Sequence, residues 1–290
     1  MKFGTHIFGF ALATGVAAFF SAARADAPVP MGVADLLGAR ALSIGASQGL
    51  TGGNDAIFTN AASLATQRRY SVDTQWLLDR AGNQTALHAL GGSAVDSVTG
   101  PVTGGFAYTR ILAGPWTGNI FRLPVAVPIS STLFLGATGK YDQLNGPAGG
   151  QVSALNADAS AFWRPSTLFG LGVSGYNLIS SGHVQLQPRA LGTGISLGDE
   201  ARFHLTCDWR GDFERQGKLT HLLALGAEVL LAQYVPVRAG FTRDWTRNGT
   251  FFSVGTGLVT TSGYAIDVSY RQSFENPAER TFAAALKLFL

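Results

Sequence analysis

Charged residues are scarce in this sequence. They make up 13% of its 290 positions, whereas a soluble domain usually carries about 25%. Mean hydropathy is slightly positive, at +0.18. Beyond residue 25, however, no uninterrupted apolar run approaches the roughly 18 residues that a membrane helix needs. The chain is therefore unusually apolar without a helical span. A closed β-barrel in a membrane is one physical solution, because its outer face is apolar at every second residue.

Cysteine, histidine and basic clusters are also sparse. Cys207 is the single cysteine, so an intramolecular disulfide is excluded and we interpret the side chain as an inert apolar filler. The formal charge is +3 and no dense Lys/Arg cluster is present, which argues against nucleic acid as a partner. The histidines beyond residue 25 lack the i, i+4 spacing of a metal site, so no metal or cofactor is predicted. These histidines are His88, His183, His204 and His221.

The first 25 residues have the pattern of a secretory signal peptide. Lys2 precedes an apolar run from Phe8 to Phe20, and Ala23-Arg24-Ala25 forms a small-x-small cleavage site. We therefore predict a mature chain that starts at Asp26. The alternative is an uncleaved membrane anchor, for which the apolar run is short.

Apolar and polar residues alternate along the rest of the chain. In ARFHLTCDWR, residues 201–210, every odd position is apolar and every even position is polar or charged. About fourteen such segments follow Tyr70. The pattern is typical of half-buried strands in a soluble sandwich as well as in a membrane barrel. The polar positions carry small residues mixed with charges of both signs, which favours a barrel lumen. Tyr264 and Tyr270 lie at the two ends of one apolar face, which favours the aromatic girdles of a membrane barrel. We predict an all-β fold, a transmembrane antiparallel β-barrel of about 14 strands.

Eight charged residues of the polar class form a predicted lumen network. One interpretation is structural, with charges paired across neighbouring strands. The other is a polar gate along a permeation path, although a barrel interior is polar whether or not it conducts. The residues are Arg202, Asp208, Arg210, Glu228, Arg238, Asp267, Arg271 and Lys287.

A motif upstream of the strands resembles a known family signature. The segment GARALSIGASQGLTGGNDAIFTNAASLA, residues 38–65, is similar to the N-terminal signature of the long-chain fatty-acid transporter (FadL) superfamily, including its PorV-like members. Ala61 stands where the family usually has proline, and Ser63 where it usually has glycine. Weaker similarity continues downstream, for example at Gly136, Lys140 and Tyr141. The matching positions of the first motif are Ala39-Arg40-Ala41, Gly45, Ala46, Asp55-Ala56, Asn60, Ala62 and Leu64.

The resemblance implies that this segment folds inside the barrel as a plug. We assign residues 26–68 to the plug and residues 69–290 to the barrel. A lumen too wide for side chains to fill needs such a filling. Asp55 is expected to cap a short helix, Asn60 to hold a loop through its side-chain amide, and Ile57 and Phe58 to line an apolar pocket. Gly45, Gly49, Gly52 and Gly53 are expected at tight bends. The predicted ligand-binding or gating set is Gly45, Asp55, Ile57, Phe58, Asn60, Ala61 and Ala62.

Two enzyme patterns occur in the sequence without their structural context. Residues 194–198 spell G-x-S-x-G, but a nucleophile elbow needs a following helix and a strand-like segment comes next. Gly170, Gly172 and Gly175 spell G-x-G-x-x-G, again with no helix and no acidic residue about 20 positions on. We predict that the protein is not an enzyme.

The resemblance also implies location and function. The expected location is a bacterial outer membrane, where lipids are partners. The expected function is passive uptake of hydrophobic small molecules such as long-chain fatty acids. The alternative is a PorV-like adaptor that binds secreted proteins without transport. A long apolar pocket would favour transport, and a sealed lumen would favour the adaptor.

Overall fold

The structure, a computed structural model, describes residues 36–45, 48–49, 53–82, 84–199 and 202–290. The predicted signal peptide and the first residues of the predicted plug lie outside these ranges, as do Ala46 and Gly52. Among the described residues, no helix is long and apolar enough to cross a membrane.

Fourteen antiparallel strands close into a barrel, which confirms the predicted fold and strand number. Each strand pairs with its neighbours in sequence, and β1 closes the ring by pairing with β14, where Trp76 lies opposite Ala284. The β6–β7 pairing shifts register between Trp163 and Ser166. The strands are β1 Tyr70–Arg80, β2 Leu87–Asp96, β3 Thr103–Ala113, β4 Trp116–Pro128, β5 Leu133–Asn145, β6 Gln151–Ser166, β7 Phe169–Tyr176, β8 Ala190–Asp199, β9 Phe203–Asp212, β10 Thr220–Leu231, β11 Val235–Asp244, β12 Gly249–Val259, β13 Tyr264–Ser273 and β14 Arg280–Phe289.

The two faces of the wall follow the alternation in the sequence. In β10, Leu223, Leu225 and Val229 are exposed on the outer face, whereas Ala224 and Glu228 are buried in the lumen. Cys207 is exposed on the outer face of β9. The exposed side chains of a closed barrel are apolar because they face lipid, so the outer face defines a membrane-spanning band.

The two ends of the barrel differ in their connections. The end that carries the start of β1 and the end of β14 has short turns, such as residues 167–168 and 232–234. The opposite end has the longer connections, including residues 177–189 and 213–219. We call these the short-turn end and the long-loop end.

Short helices precede the barrel. Within the described residues they are α1 Ala39–Ile44, α2 Ala56–Thr59 and a 3₁₀ helix at Ala61–Thr66; a further 3₁₀ helix, Pro147–Gly149, lies between β5 and β6. We call residues 36–45, 48–49 and 53–66 the inner segment. α1 packs against β10 to β14, whereas the first 3₁₀ helix packs against β4, β5 and β6. The inner segment therefore crosses the lumen from one side of the wall to the other.

A charge on the outer face should destabilise the barrel in a bilayer. Leu225, in the middle of β10, is 54% exposed, and an arginine near the bilayer midplane costs about 2–4 kcal/mol in a membrane barrel. We expect Leu225→Arg to lower the free energy of unfolding by that amount in urea titrations of the barrel refolded into lipid vesicles. Leu225→Phe is the control, and equal stability of both variants would contradict a lipid-facing position.

Candidate functional site

Small residues on the wall allow the inner segment to approach closely. A Cβ atom added to Gly226 would lie 2.3 Å from the Ile44 carbonyl oxygen, and one added to Gly136 would lie 2.4 Å from the Ala62 nitrogen. Real Cβ atoms do not come this close, so backbone meets backbone only because glycine lacks a side chain. We call this group the glycine seat: Gly136, Gly172, Gly226, Gly240 and Gly255.

Hydrogen bonds fix the inner segment at several points. The Asn60 amide donates to the carbonyl oxygens of Gln48 at 3.3 Å and of Ala161 at 3.1 Å, which is the role expected from the sequence. The Ala62 nitrogen donates to Ser160 Oγ at 3.0 Å. Gln48 donates through its side chain to the Tyr176 hydroxyl, which donates in turn to the Thr59 carbonyl oxygen at 2.7 Å. Buried polar groups require such partners, so these bonds determine where the segment lies.

Tight bends occur at two of the predicted glycines. Gly45 ends α1 at φ 64° and Gly53 adopts φ 82°, a region that side chains disfavour. A Cβ added to Gly49 would lie 2.7 Å from the Ile195 carbonyl carbon. These glycines therefore serve conformation and close approach, as expected from the sequence.

A chain of buried ion pairs ties α1 to the wall. Arg40 donates two hydrogen bonds to Glu228, at 3.1 and 2.8 Å. Glu228 also pairs with Arg238 on β11, and Arg238 donates to Asp267 on β13. His204 Nδ1 lies 3.6 Å from Glu228. The charges alternate in sign from helix to wall, which offsets the cost of burying them.

Lys287 continues this chain back to the inner segment. Its ammonium nitrogen lies 3.0 Å from Asp267, 3.1 Å from Asp55 and 3.9 Å from Asp73. All four side chains are at most 8% exposed. The ion pairs thus run from Arg40 through the wall to Asp55, so that both ends lie on the inner segment. We call this set the ionic ladder: Arg40, Glu228, Arg238, Asp267, Lys287, Asp55 and Asp73.

The predicted helix cap at Asp55 is wrong. Asp55 precedes α2, but its own backbone is helical and its side chain makes no capping bond. The carboxylate instead accepts a hydrogen bond from Lys287. A charge-assisted bond to a buried ammonium is stronger than a bond to a backbone N–H, and this partner is more than two hundred positions away in the sequence.

A cavity of about 120 Å³ lies between the inner segment and the wall. On one side its lining is apolar, with Leu36, Leu42, Ile57 and Phe58 from the inner segment and Ile120 from β4. A 150 Å³ apolar cavity accommodates benzene, whereas sites for drug-sized ligands measure about 300–1,000 Å³. The cavity in this conformation therefore has room for a molecule of about one ring or less.

Other parts of the cavity lining are polar. Lys140 pairs with Asp158 at 2.6 Å, and Arg122 pairs with Asp142. Gln187, from the connection between β7 and β8, donates to Asp142 at 2.9 Å. Arg122, Lys140 and Asp158 line the cavity directly. The site is thus amphipathic, and its ionic groups already have partners.

Other predicted network residues lie at this cavity or near it. Asp208 accepts a hydrogen bond from the Gln48 nitrogen at 2.7 Å, and the Arg210 guanidinium lies 5.3 Å from the centre of the Tyr176 ring. Arg271 also lines the cavity and donates to Thr281 at 3.1 Å. The predicted single network is therefore divided between the ionic ladder and the cavity.

The placement of Arg202 corrects the prediction. β9 begins at Phe203, and Arg202 lies exposed in the turn before it, where its nitrogen donates to the Asp199 carbonyl oxygen. The predicted alternating segment begins at residue 201, two positions before the strand, so Arg202 was assigned a strand position that it does not have. His204, which is 1% exposed, is the first inward residue of this strand.

Several site residues were not predicted. Arg40 is in the family-like motif, but helix periodicity gave no sign that it reaches Glu228. Asp73, Asp142 and Asp158 are buried or half-buried residues in the polar parity class of their strands. Their inward parity could have been recognised from the alternation in β1, β5 and β6, because each lies in the polar class of its strand.

No metal-like cluster of three or more His, Cys, Asp or Glu occurs within the described ranges. The G-x-S-x-G pattern lies within β8 and leads into β9. It therefore does not form a nucleophile elbow, which requires a helix after the serine.

The chain has the fold of FadL-type outer-membrane barrels. A Pseudomonas aeruginosa FadL homologue superposes with a TM-score of 0.65 at 12% identity, over 90% of this chain and 99% of that one. The Ralstonia pickettii toluene transporter TbuX superposes with a TM-score of 0.65 at 13% identity, over 87% of this chain and 97% of that one. The CymD monoaromatic hydrocarbon channel superposes with a TM-score of 0.65 at 12% identity, over 87% of this chain and 96% of that one. No protein-family model matches the sequence, and no curated protein is significantly similar to it. The predicted resemblance is confirmed at the level of the fold.

Removing the ammonium group from the ionic ladder should destabilise the barrel. Lys287→Met leaves Asp55, Asp73 and Asp267 without their shared cation, and breaking a buried pair from one side costs roughly 3–5 kcal/mol. We expect this loss in urea unfolding of the refolded protein. Lys218→Met, at an exposed loop position, is the control and should be neutral.

Adding one methyl group to the glycine seat should displace the inner segment. The Cβ of Gly226→Ala would collide with the Ile44 backbone, whereas that of Gly104→Ala would meet no atom within 4 Å. We expect trypsin to cleave after Arg40 faster in the first variant than in the second, because α1 no longer packs on the wall. Equal cleavage rates would mean that the seat does not hold the segment.

Proposed function

We propose that the protein is an outer-membrane barrel through which small hydrophobic compounds cross passively. The observation that carries this proposal is the cavity of about 120 Å³ between the inner segment and the wall. A solute must leave water, pass the polar surface of the membrane and enter an apolar site. Leu36, Leu42 and Phe58 provide such a site on the inner segment.

Three features support the outer-membrane location. The barrel is closed and its outer face is apolar. Short turns at the end that carries both termini of the barrel, and longer loops opposite, are typical of bacterial outer-membrane barrels, in which the longer loops are extracellular. The structural neighbours are proteins of that class. The long-loop end is accordingly assigned to the cell exterior.

The size of the cavity favours small compounds over long-chain fatty acids. One of the neighbours is described as a toluene transporter and another as a monoaromatic hydrocarbon channel. A molecule of one ring is close to the volume of this cavity, whereas a long acyl chain exceeds it and requires the inner segment to move. We therefore place monoaromatic compounds ahead of fatty acids as substrates.

The mechanism needs binding and displacement but no chemical step. The apolar lining desolvates the solute, while Arg122 and Lys140 in the lining are already paired with Asp142 and Asp158. Passage towards the short-turn end requires the inner segment to shift against the glycine seat and the ionic ladder. Those interactions set the barrier to passage, so the plug role of the segment belongs to this proposal.

The adaptor hypothesis receives no comparable support. The neighbours reported above are a FadL homologue, a transporter and a channel, and none is described as a binding partner of secreted proteins. The same comparison supports a non-enzymatic role.

Uptake by intact cells tests the proposal directly. Gram-negative cells that express the protein should take up radiolabelled toluene faster than cells with an empty vector, and palmitate less so. Leu36→Trp adds a ring where a half-buried side chain lines the cavity, and we expect toluene uptake to fall to the vector level. Leu223→Trp, on the lipid-facing side of β10, is the matched control and should behave as wild type.

A wild-type rate at the vector level for both solutes, with folded protein in the outer membrane, would refute transport. Strong palmitate uptake that survives Leu36→Trp would show that a different path carries the solute.

A further inference from the structure

Two arginines lie side by side on the outer face at the seam of the barrel. Arg80, the last residue of β1, pairs in register with Arg280, the first residue of β14. Both side chains are exposed. Their neighbours Asp79 and Thr281 point into the lumen and bond to each other, so the alternation directs both arginines outward. Like charges directly opposite on adjacent strands are destabilising.

Neither arginine has an acidic partner among the described residues. The nearby connection, residues 274–279, contains two glutamates that face elsewhere. Glu275 accepts a hydrogen bond from Arg243 at 3.1 Å and another from the Thr250 nitrogen at 2.8 Å. Glu279 lies 3.7 Å from Arg247. No acidic side chain of the described residues therefore relieves the repulsion between Arg80 and Arg280.

An aromatic surface lies directly below the arginine pair, towards the membrane centre. Phe282, two positions from Arg280, is 38% exposed, and its ring centre is 4.7 Å from that of Tyr270. Leu78, two positions from Arg80, lies on the same outer face. Aromatic rings at this depth mark the boundary between acyl chains and headgroups. The guanidinium groups thus lie at headgroup level.

The sign of charge differs between the two halves of the outer face. In the long-loop half, the charged residues at outward strand positions of the described barrel are arginines: Arg80, Arg110, Arg243 and Arg280. Outward positions near the short-turn end include Asp96 and Asp199. The long-loop half therefore matches a leaflet with anionic headgroups.

We propose that Arg80 and Arg280 bind a phosphate group of a lipid headgroup in the leaflet at the long-loop end. Two guanidinium forks match the oxygen geometry of a phosphate, which arginine binds more specifically than lysine does. The phosphate offsets the repulsion across the seam, while acyl chains lie on Leu78, Phe282 and Tyr270. The site rests on the proposed membrane orientation but not on transport.

Native mass spectrometry of the purified barrel in neutral detergent tests this site. The probe is diphosphorylated lipid A, with phosphatidylcholine as the lipid without net charge. Arg80→Gln/Arg280→Gln removes both guanidinium groups, and we expect lipid A affinity to fall by about tenfold or more, the loss of at least one charge-assisted bond. Arg202→Gln, an exposed arginine near the opposite end, is the matched control and should bind as wild type. Heat-dependent gel mobility selects folded protein for every variant.

A competition arm separates a lipid from a free anion. Inorganic phosphate in excess should leave lipid A bound, because it lacks acyl chains for the aromatic surface. Complete displacement by inorganic phosphate would show an anion site and overturn the lipid assignment. Equal lipid A affinity in wild type and the double variant would overturn the site itself. Toluene uptake should be unchanged in the double variant, so failure of this site and failure of transport are distinguishable.

Discussion

A fourteen-stranded barrel encloses a lumen that its own side chains cannot fill, and the rest of the structure depends on this constraint. The wall satisfies its backbone groups by closing on itself, which leaves the interior as the remaining problem. The inner segment solves it by crossing the lumen, but it must carry its own polar backbone into a confined space. Asn60 and Tyr176 donate hydrogen bonds to carbonyl oxygens of that backbone, and the ionic ladder provides partners for its charged side chains, Arg40 and Asp55.

Close packing and ion pairs each hold the inner segment in place, but they determine different things. The glycine seat determines how close α1 and the 3₁₀ helix come to the wall, because steric contact is short-ranged. The ionic ladder determines which residues face each other, since Arg40 and Asp55 reach different strands. Buried ion pairs contribute little net stability when intact but are costly to break. The position of the inner segment is therefore determined by the charged groups that would lose their partners if the segment moved.

Much of the fold was predictable because the alternation of apolar and polar residues determines where the strands lie and which face of each strand points outward. The outward residues of β9, β10 and β13 and the strand number were read from parity alone. Arg202 was misplaced because parity says nothing about where a turn ends. Asp55 was misassigned because helix capping is local, whereas its actual partner, Lys287, lies on the last strand. The register that brings Glu228 beside Arg40 depends on barrel closure, which no short sequence window contains.

The lipid-facing half of the wall has a consequence for sequence comparison. At positions such as Leu223, Val268 and Leu286, any of several apolar side chains can face the acyl chains. Fluid lipid requires an apolar side chain but not one of a particular shape. Those positions carry little information about ancestry. The information that specifies this molecule is concentrated in the inward parity class and the inner segment, where a single methyl or charge matters. A barrel can therefore retain its architecture at 12% identity while its alignable signal shrinks to a minority of the chain.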